Sequence, residues 1–561
     1  MSALRFRFTS LLAAAGLLAS SAAAQVIYVD AGQNAGLNDG SSWADALQGI
    51  DGLKNAIGLS VAGDQIFVAE GTYRPSDTGT RGNSFRLNND VEIYGGFVGG
   101  ETAPDQRPAF GMAPSILTGD LNGDDGMGQL GDNSYHVLRA PGSNASAIID
   151  GFRVEGGNAN GSGSSQDRGG GILVINGSSV TVRNCHFIGN RCTFGGGAGY
   201  VNGSPSFIDV VFEDNIGGAF GGAFDIANSG AVVFDRCSFY GNRANRAGAL
   251  EFFSTNGARV TNSVFQGNVS TGSGGGGAFW VGSNSNPQIR NCTIVDNSCT
   301  NNPVGGILVS GASPSIINCI LWNNAGGGGA QNPANQVTQS ANVTYSLVQG
   351  GMAGTGNIGT NPGFEDQAGG DFNLTLASFA VDAGNNSGVP AGIVVDVNLE
   401  DRFVDELSVP DTGNGSAPVV DMGAYEFQGG IGTGDPGCMP LANSTGISST
   451  LTAGGSLTIA DNNLSLMVSG LPLNQFGYFL MSESTASNPV GSGVICLGSQ
   501  IYRFNGNILN SGFSGLMNLS PDLSNLPQGQ VFMPGSTWYF QLWHRDGATS
   551  NFSSSLGFTW Q

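Results

Sequence analysis

The nine residues VRNCHFIGN, Val182 to Asn190, return five more times with the same chemistry at each position. The copies read FIDVVFEDN, FDRCSFYGN, VTNSVFQGN, IRNCTIVDN and IINCILWNN, and end at Asn215, Asn242, Asn268, Asn297 and Asn324. Their spacing of about 26 residues falls in the range of solenoids, propellers and arrays. Each copy reads as an apolar strand in which Val182, Cys185 and Phe187 match Phe207, Val210 and Phe212, and so on to Ile316, Cys319 and Leu321. A second apolar strand follows a pair of small residues, as in GGILVI, GGAFDI, AGALEF and GGAFWV. Two-residue alternation and abundant glycine exclude helical repeats, and no leucine-rich pattern is present. A parallel β-helix between Ile148 and Val309 is what remains.

Stacked coils place equivalent residues one above another at the ~4.8 Å strand spacing. Phe187, Phe212, Phe239, Phe265, Ile294 and Leu321 then form an internal apolar stack. The six terminal asparagines form a ladder at a turn, where Asn accommodates left-handed backbone and its amide bonds to the next rung.

Outward from the repeats, the 561-residue chain has 93 glycines, 11% charged residues and a net charge of -22. A single lysine, Lys54, and that acidity exclude nucleic acid or an anionic membrane as a partner, since both draw on clustered Lys and Arg. Calcium and neutral glycans suit such a surface better. Arg5 and Arg7, the apolar run Leu11 to Leu18 and the small residues Ala22, Ala23 and Ala24 read as a signal peptide over residues 1–24. No other stretch is apolar enough to span a bilayer as a helix. The expected location is therefore outside the cytoplasm, secreted or on the bacterial cell surface or outer membrane. Eight cysteines in a secreted chain suggest disulfides. Cys185 with Cys192 and Cys292 with Cys299 share one spacing and are expected as bridges within a coil. Cys438 and Cys496 are the pair of the C-terminal region, and Cys237 and Cys319 are expected as buried thiols.

Near the N-terminus, Trp43, Ala46, Leu47, Ile50, Leu53 and Ile57 recur at helical steps and predict an amphipathic helix from Trp43 to Ile57 that caps the solenoid. The run GGIGTGDPG reads as a linker over residues 429–437. Beyond it, segments such as FGYFLMS and TWYFQLW predict a small antiparallel β-sandwich over 438–561. In the module, alternation sends Trp538 and Phe540 to one side and Tyr539 and Gln541 to the other.

The GGA and F-x-x-N repeats resemble those of bacterial right-handed parallel β-helix proteins of the pectin lyase-like superfamily, including the repeats of chlamydial polymorphic outer membrane proteins. GDQIFVAEGTY, VEIYGGFVGGE, LTGDLNGDDG, NPGFEDQAGGDFNLT with AVDAGN, and VVDMGAYEF extend the resemblance over roughly residues 25–427. It implies an all-β chain: a capped right-handed β-helix over 25–428, then the linker and sandwich. It implies no single activity, because the fold hosts lyases, hydrolases, adhesins and passenger domains. The N-T-D, G-H-G and R-I-K motifs of polygalacturonase-like enzymes are missing. Asp124-Asp125 stands outside their context, and none of His136, His186 and His544 lies in a G-H-G. Lys54 falls in the capping helix and is no lyase base. A lyase with an arginine base would draw on Arg236, Arg243, Arg246 or Arg259.

Two candidate sites follow from residue type and spacing. With Ile175, Val201, Ile226, Phe252, Val281 and Val309 facing inward, the preceding residues Val174, Tyr200, Asp225, Glu251, Trp280 and Leu308 form an outward column. Tyr200 and Trp280 could stack sugar rings while Asp225 and Glu251 bind hydroxyls or calcium. Adjacent rungs also give the ~5 Å separation of a retaining glycosidase pair, with Arg236 or Arg246 assisting. Separately, Asp120, Asn122 and Asp124 alternate as in the first half of a calcium loop. Asp125 replaces the required glycine and Gly131 the bidentate Glu, so an EF-hand is excluded while a calcium-stabilised turn stays open. The leading expectation is a non-catalytic protein that binds extracellular polysaccharide or cell-surface glycan, as an adhesin does. A polysaccharide lyase or glycoside hydrolase and a purely structural stalk are the alternatives.

Overall fold

The computed structural model describes residues 24–560 except 164, 327–332, 339–340, 407–408, 429–437, 439, 455–456, 463, 499 and 513–514. The signal peptide, apart from Ala24, and the linker 429–437 lie outside the described residues. From Val26 to Val348 the chain winds through three parallel sheets of twelve, ten and eight strands. One coil runs through Thr181–Arg183 in the first sheet, His186–Ile188 in the second and Gly199–Gly203 in the third. The next runs through Ser206–Ile208, Val211–Glu213 and Phe224–Ala227, each strand parallel to its predecessor.

The VRNCHF stretch is therefore two strands and not one. Its chain turns at Asn184, and the equivalent corners are Asp209, Arg236, Asn262, Asn291 and Asn318, all with φ between 47° and 56°. Left-handed backbone breaks the two-residue alternation, so Val182, Cys185 and Phe187 sit at steps of three and two yet all point inward. At three of these corners the side chains also stack: the Asn291 amide donates to Asn262 Oδ1 at 3.1 Å, and that of Asn318 donates to Asn291 Oδ1 at 3.0 Å.

The terminal asparagines form the expected ladder at the next corner, all with negligible exposure. Each Nδ2 donates to the Oδ1 of the next rung at 2.8 to 3.1 Å. That oxygen also accepts from the backbone amide of the preceding asparagine, and the second Nδ2 proton goes to a carbonyl such as that of Phe187. Every donor and acceptor of these amides is thereby used. The ladder starts where Gly157 N–H donates to Asn190 Oδ1 and ends where Asn324 donates to Gln336 Oε1. The left-handed residue is the one before each asparagine, namely Gly189, Asp214, Gly241, Gly267, Asp296 and Asn323. The asparagine thus serves through its side chain and its neighbour makes the turn.

Inside, Phe212, Phe239 and Phe265 stack with centroids 4.8 and 4.4 Å apart, and Phe207 stacks on Phe234 at 5.0 Å. Cys185, Cys237, Cys292 and Cys319 line the first corner as buried free thiols. The bridges Cys185–Cys192 and Cys292–Cys299 do not form: each pair lies at opposite ends of a second-sheet strand, and all four sulfurs are free and buried. Cys438 and Cys496 are bonded.

The N-terminal cap is shorter than the periodicity predicts. The helix covers Gly52–Leu59 and buries Leu53, Ala56 and Ile57 in the solenoid core. Leu47–Gln48 instead pairs as an edge strand with Val29 and Asp30, and Trp43 packs edge-on against Tyr28 outside the first sheet. Residues 361–427 add no coil but fold back over the outer face of the second sheet. There Phe372 and Ala424 meet Val264 and Val295, while Leu374, Val381 and Met422 meet Ile320 and Leu347. The C-terminal module has antiparallel sheets around Leu466, Phe479, Trp538, Phe540 and Trp560, consistent with the expected sandwich. Trp538 and Phe540 share this core, whereas Tyr539 and Trp543 pack on the opposite side with Leu497 and Phe552.

Asn242→Ala in mid-ladder removes the acceptor of the buried Asn215 backbone N–H and of one Asn215 Nδ2 proton. At roughly 1–3 kcal/mol for each buried group left unpaired, the urea midpoint should fall well below that of a surface control such as Asn301→Ala.

Candidate functional site

The third sheet carries the predicted column, with a corrected start. Leu173, Tyr200, Asp225, Glu251, Trp280 and Leu308 are in register. Val174 pairs with Val201 and faces inward, so Val174 is not in the outward column and Ile175 is not in the inward one. The column is also not a solvated face: Asp225 is 4% exposed and Glu251 1%, and Tyr200 and Trp280 are buried. What covers it is a second layer built by the loops between the second and third sheets. Arg168 lies 4.6 Å from the Phe194 ring and 4.9 Å from that of Tyr200. Phe194 meets Phe220 edge-on at 4.9 Å, and Arg246 lies over both Phe220, at 4.4 Å, and Trp280, at 3.9 Å. Phe220 bridges to Gly195 on one side and Arg246 on the other, so the covering layer repeats with the coils. Gly195 lets the loop descend this far, since a Cβ there would lie 2.2 Å from an Asp225 carboxylate oxygen.

Arg246 grips Glu251 with two donors, Nε to Oε2 at 3.1 Å and Nη2 to Oε1. Burial nevertheless lifts Glu251 to about 7, with the Arg246 hydrogen bonds pulling down and Asp225 pushing up. Burial lifts Asp225 to about 6 against the pull of Arg168 and Arg246. Such a pair has the raised pKa of a general acid that keeps its proton near neutral pH, but the Arg168–Phe194–Phe220–Arg246 layer stands between it and any polymer. Arg236 is elsewhere: it sits at the corner between the first and second sheets, bound to Asp209 at 2.7 and 2.8 Å and to Asp235 at 2.7 Å. It cannot assist Asp225.

Asp120 and Asp124 do converge, with Asp125, within 4.8 Å of one another. Asp120 is largely occupied by the amides of Gly123, Asp124 and Asp125, while one oxygen each of Asp124 and Asp125 is buried without a hydrogen bond. Asn122 is exposed and donates its backbone N–H to Asp132 at 2.9 Å.

Two features escaped the sequence. One is a cavity of about 290 Å³ between the 104–114 loop and the second sheet, lined in part by Pro108, Phe110, Arg153, Asn184 and His186. Phe110 is 53% exposed beside it, and Arg153 at its rim pairs with Glu155 while His186 pairs with Glu213. Nothing in the spacing joins residue 110 to residue 186; coil stacking does. The other is a second carboxylate group, Asp382, Asp405 and Asp411, in the arm that folds over the second sheet.

Residues 170–345 match the family described as "Right handed beta helix region". The chain is a right-handed parallel β-helix protein. No curated protein sequence matches it. Among solved structures, a pectate lyase, Pel9A, is similar at 16% identity and a TM-score of 0.35, over 72% of this chain and 96% of that one. Among the described residues of the β-helix protein, no helix is long and apolar enough to cross a membrane.

Because the folded Asp225 and Glu251 carboxyls are weaker acids than ordinary carboxyls, the fold binds their protons more tightly than the unfolded chain does. Their stabilising contribution is complete below about pH 4 and is lost as pH rises through 6 and 7. Thermal unfolding followed between pH 4 and 8 should show the midpoint falling with pH, and Asp225→Asn should flatten the fall between pH 4 and 6.

Proposed function

We propose that this β-helix is a secreted or cell-surface protein that binds polysaccharide without cleaving it, in the manner of an adhesin. The cavity beside the second sheet carries this reading. Its volume of about 290 Å³ suits one or two sugar units, at the small end of ligand pockets. Phe110 offers an apolar face on which a sugar ring can stack, and Arg153 offers donors at the rim. The covered column supports the same reading from the other side, since the carboxylates best placed for hydrolysis are closed in by Arg246 and Phe220. The acidic chain favours neutral sugars, with Arg153 as the local exception.

The glycosidase reading keeps one observation in its favour, the raised pKa of Asp225 and Glu251 on adjacent rungs. It requires the Arg168 to Arg246 layer to open. The purified chain is tested for retention on, and product release from, a panel of neutral and acidic polysaccharides. Retention without release is expected, with Phe110→Ala plus Arg153→Ala weakening affinity about tenfold or more, the ~1.4 kcal/mol of one lost stacking contact. Release abolished by Asp225→Asn plus Glu251→Gln would instead make the protein a hydrolase. No retention on any polymer, with no release, would leave a structural stalk.

A further inference from the structure

The arm over residues 361–427 is held by buried acids, and all but one of those in its centre clamp backbone amides. Asp396 accepts from Asn398, Glu400 and Glu426, and Glu426 accepts from Val404 and Asp421. Asp421 accepts from Asp382 N–H at 2.7 Å and from Phe427 N–H at 2.6 Å. The fully buried Arg402 donates to the carbonyls of Asp421 and Gly423. Asp382 is the exception. It is 1% exposed, and both of its carboxylate oxygens are buried without a hydrogen bond. The nearby Glu406 backbone amide favours its charge.

The Asp382 carboxylate lies beside those of Asp405 and Asp411. One oxygen from each of the three carboxylates lies within 4.8 Å of the others. Calcium holds oxygen ligands at about 2.3–2.6 Å, so opposite ligands stand up to about 5 Å apart. Three carboxylates brought to that separation around the buried Asp382 repel one another unless a cation sits between them. The backbone fixes the arrangement. Asp382 takes a left-handed φ of 51°, and its carbonyl accepts from both Thr412 and Gly413 at 3.0 Å, which anchors the loop carrying Asp411. Asp411 is exposed and Asp405 half-buried, leaving a path for the ion and room for waters to complete its shell. Hard carboxylate oxygens with no His or Cys among them favour calcium over a transition metal.

We propose that Asp382, Asp405 and Asp411 form a calcium site that ties together the segments of the arm covering the second sheet. It is independent of the Asp120 cluster and of any glycan site. Calcium is titrated by calorimetry into the chelator-treated full chain, and thermal unfolding is followed with and without the ion. Asp411→Asn and Asp405→Asn change accessible positions, and far-ultraviolet circular dichroism checks that each variant folds. Both should weaken calcium binding at least tenfold and abolish the calcium-dependent rise in unfolding temperature, while Asp124→Asn keeps both. Magnesium at equal concentration should give no comparable rise. A chain that binds no calcium, or whose binding survives in Asp411→Asn and Asp405→Asn, or is lost only in Asp124→Asn, overturns the assignment.

Discussion

A solenoid without hairpins must turn its chain at every corner inside a dry interior, and each turn leaves backbone groups that the sheets do not pair. The asparagine ladder meets this demand. Each amide spends both protons and both lone-pair directions on neighbours above, below and beside it. Because Oδ1 of one rung receives the backbone amide of the rung before, the corner of one coil is completed by the next. Register between coils is then fixed by hydrogen bonds as well as by the phenylalanine stack, whose non-directional packing would tolerate slippage. The terminal Gln336, reaching back to Asn324, closes the series where the next corner is no longer of the same kind.

The same stacking logic repeats outside the third sheet. Arginine and phenylalanine from successive loops alternate over a column of tyrosine, carboxylates and tryptophan, so cationic groups lie against aromatic faces and beside acids at once. Glu251 is satisfied by a two-pronged guanidinium, whereas Asp225 has only nearby charge. A pair of perturbed carboxylates arises here from a structural layer, which is the common reason that a raised pKa alone does not locate a catalytic centre.

The arm shows how a β-helix disposes of an apolar outer face. Val264, Val295, Ile320 and Leu347 would be exposed on the second sheet if residues 361–427 wound on as further coils. Folding back buries them and confines the open surface of that sheet to its N-terminal half, where the cavity beside Phe110 and His186 lies. The buried acids of the arm act as clamps on irregular backbone that no sheet could pair.

By itself the sequence determined the coil. Six copies of one nonapeptide dictate stacked strands, and from them the phenylalanine core and the asparagine ladder were legible, because each depends on residue type at a fixed period; the C-terminal disulfide was legible because Cys438 and Cys496 are the cysteines of that region. Only the tertiary structure decided what the period does not encode. It split VRNCHF at the left-handed Asn184, separated Cys185 from Cys192 across a strand, and moved the column's start from Val174 to Leu173. It buried Asp225 and Glu251, because the loops that cover them vary in sequence while sharing only their place in the coil. It joined Phe110 to His186 and Asp382 to Asp411 through chain reversals, and contacts made by irregular loops leave no repeat to read.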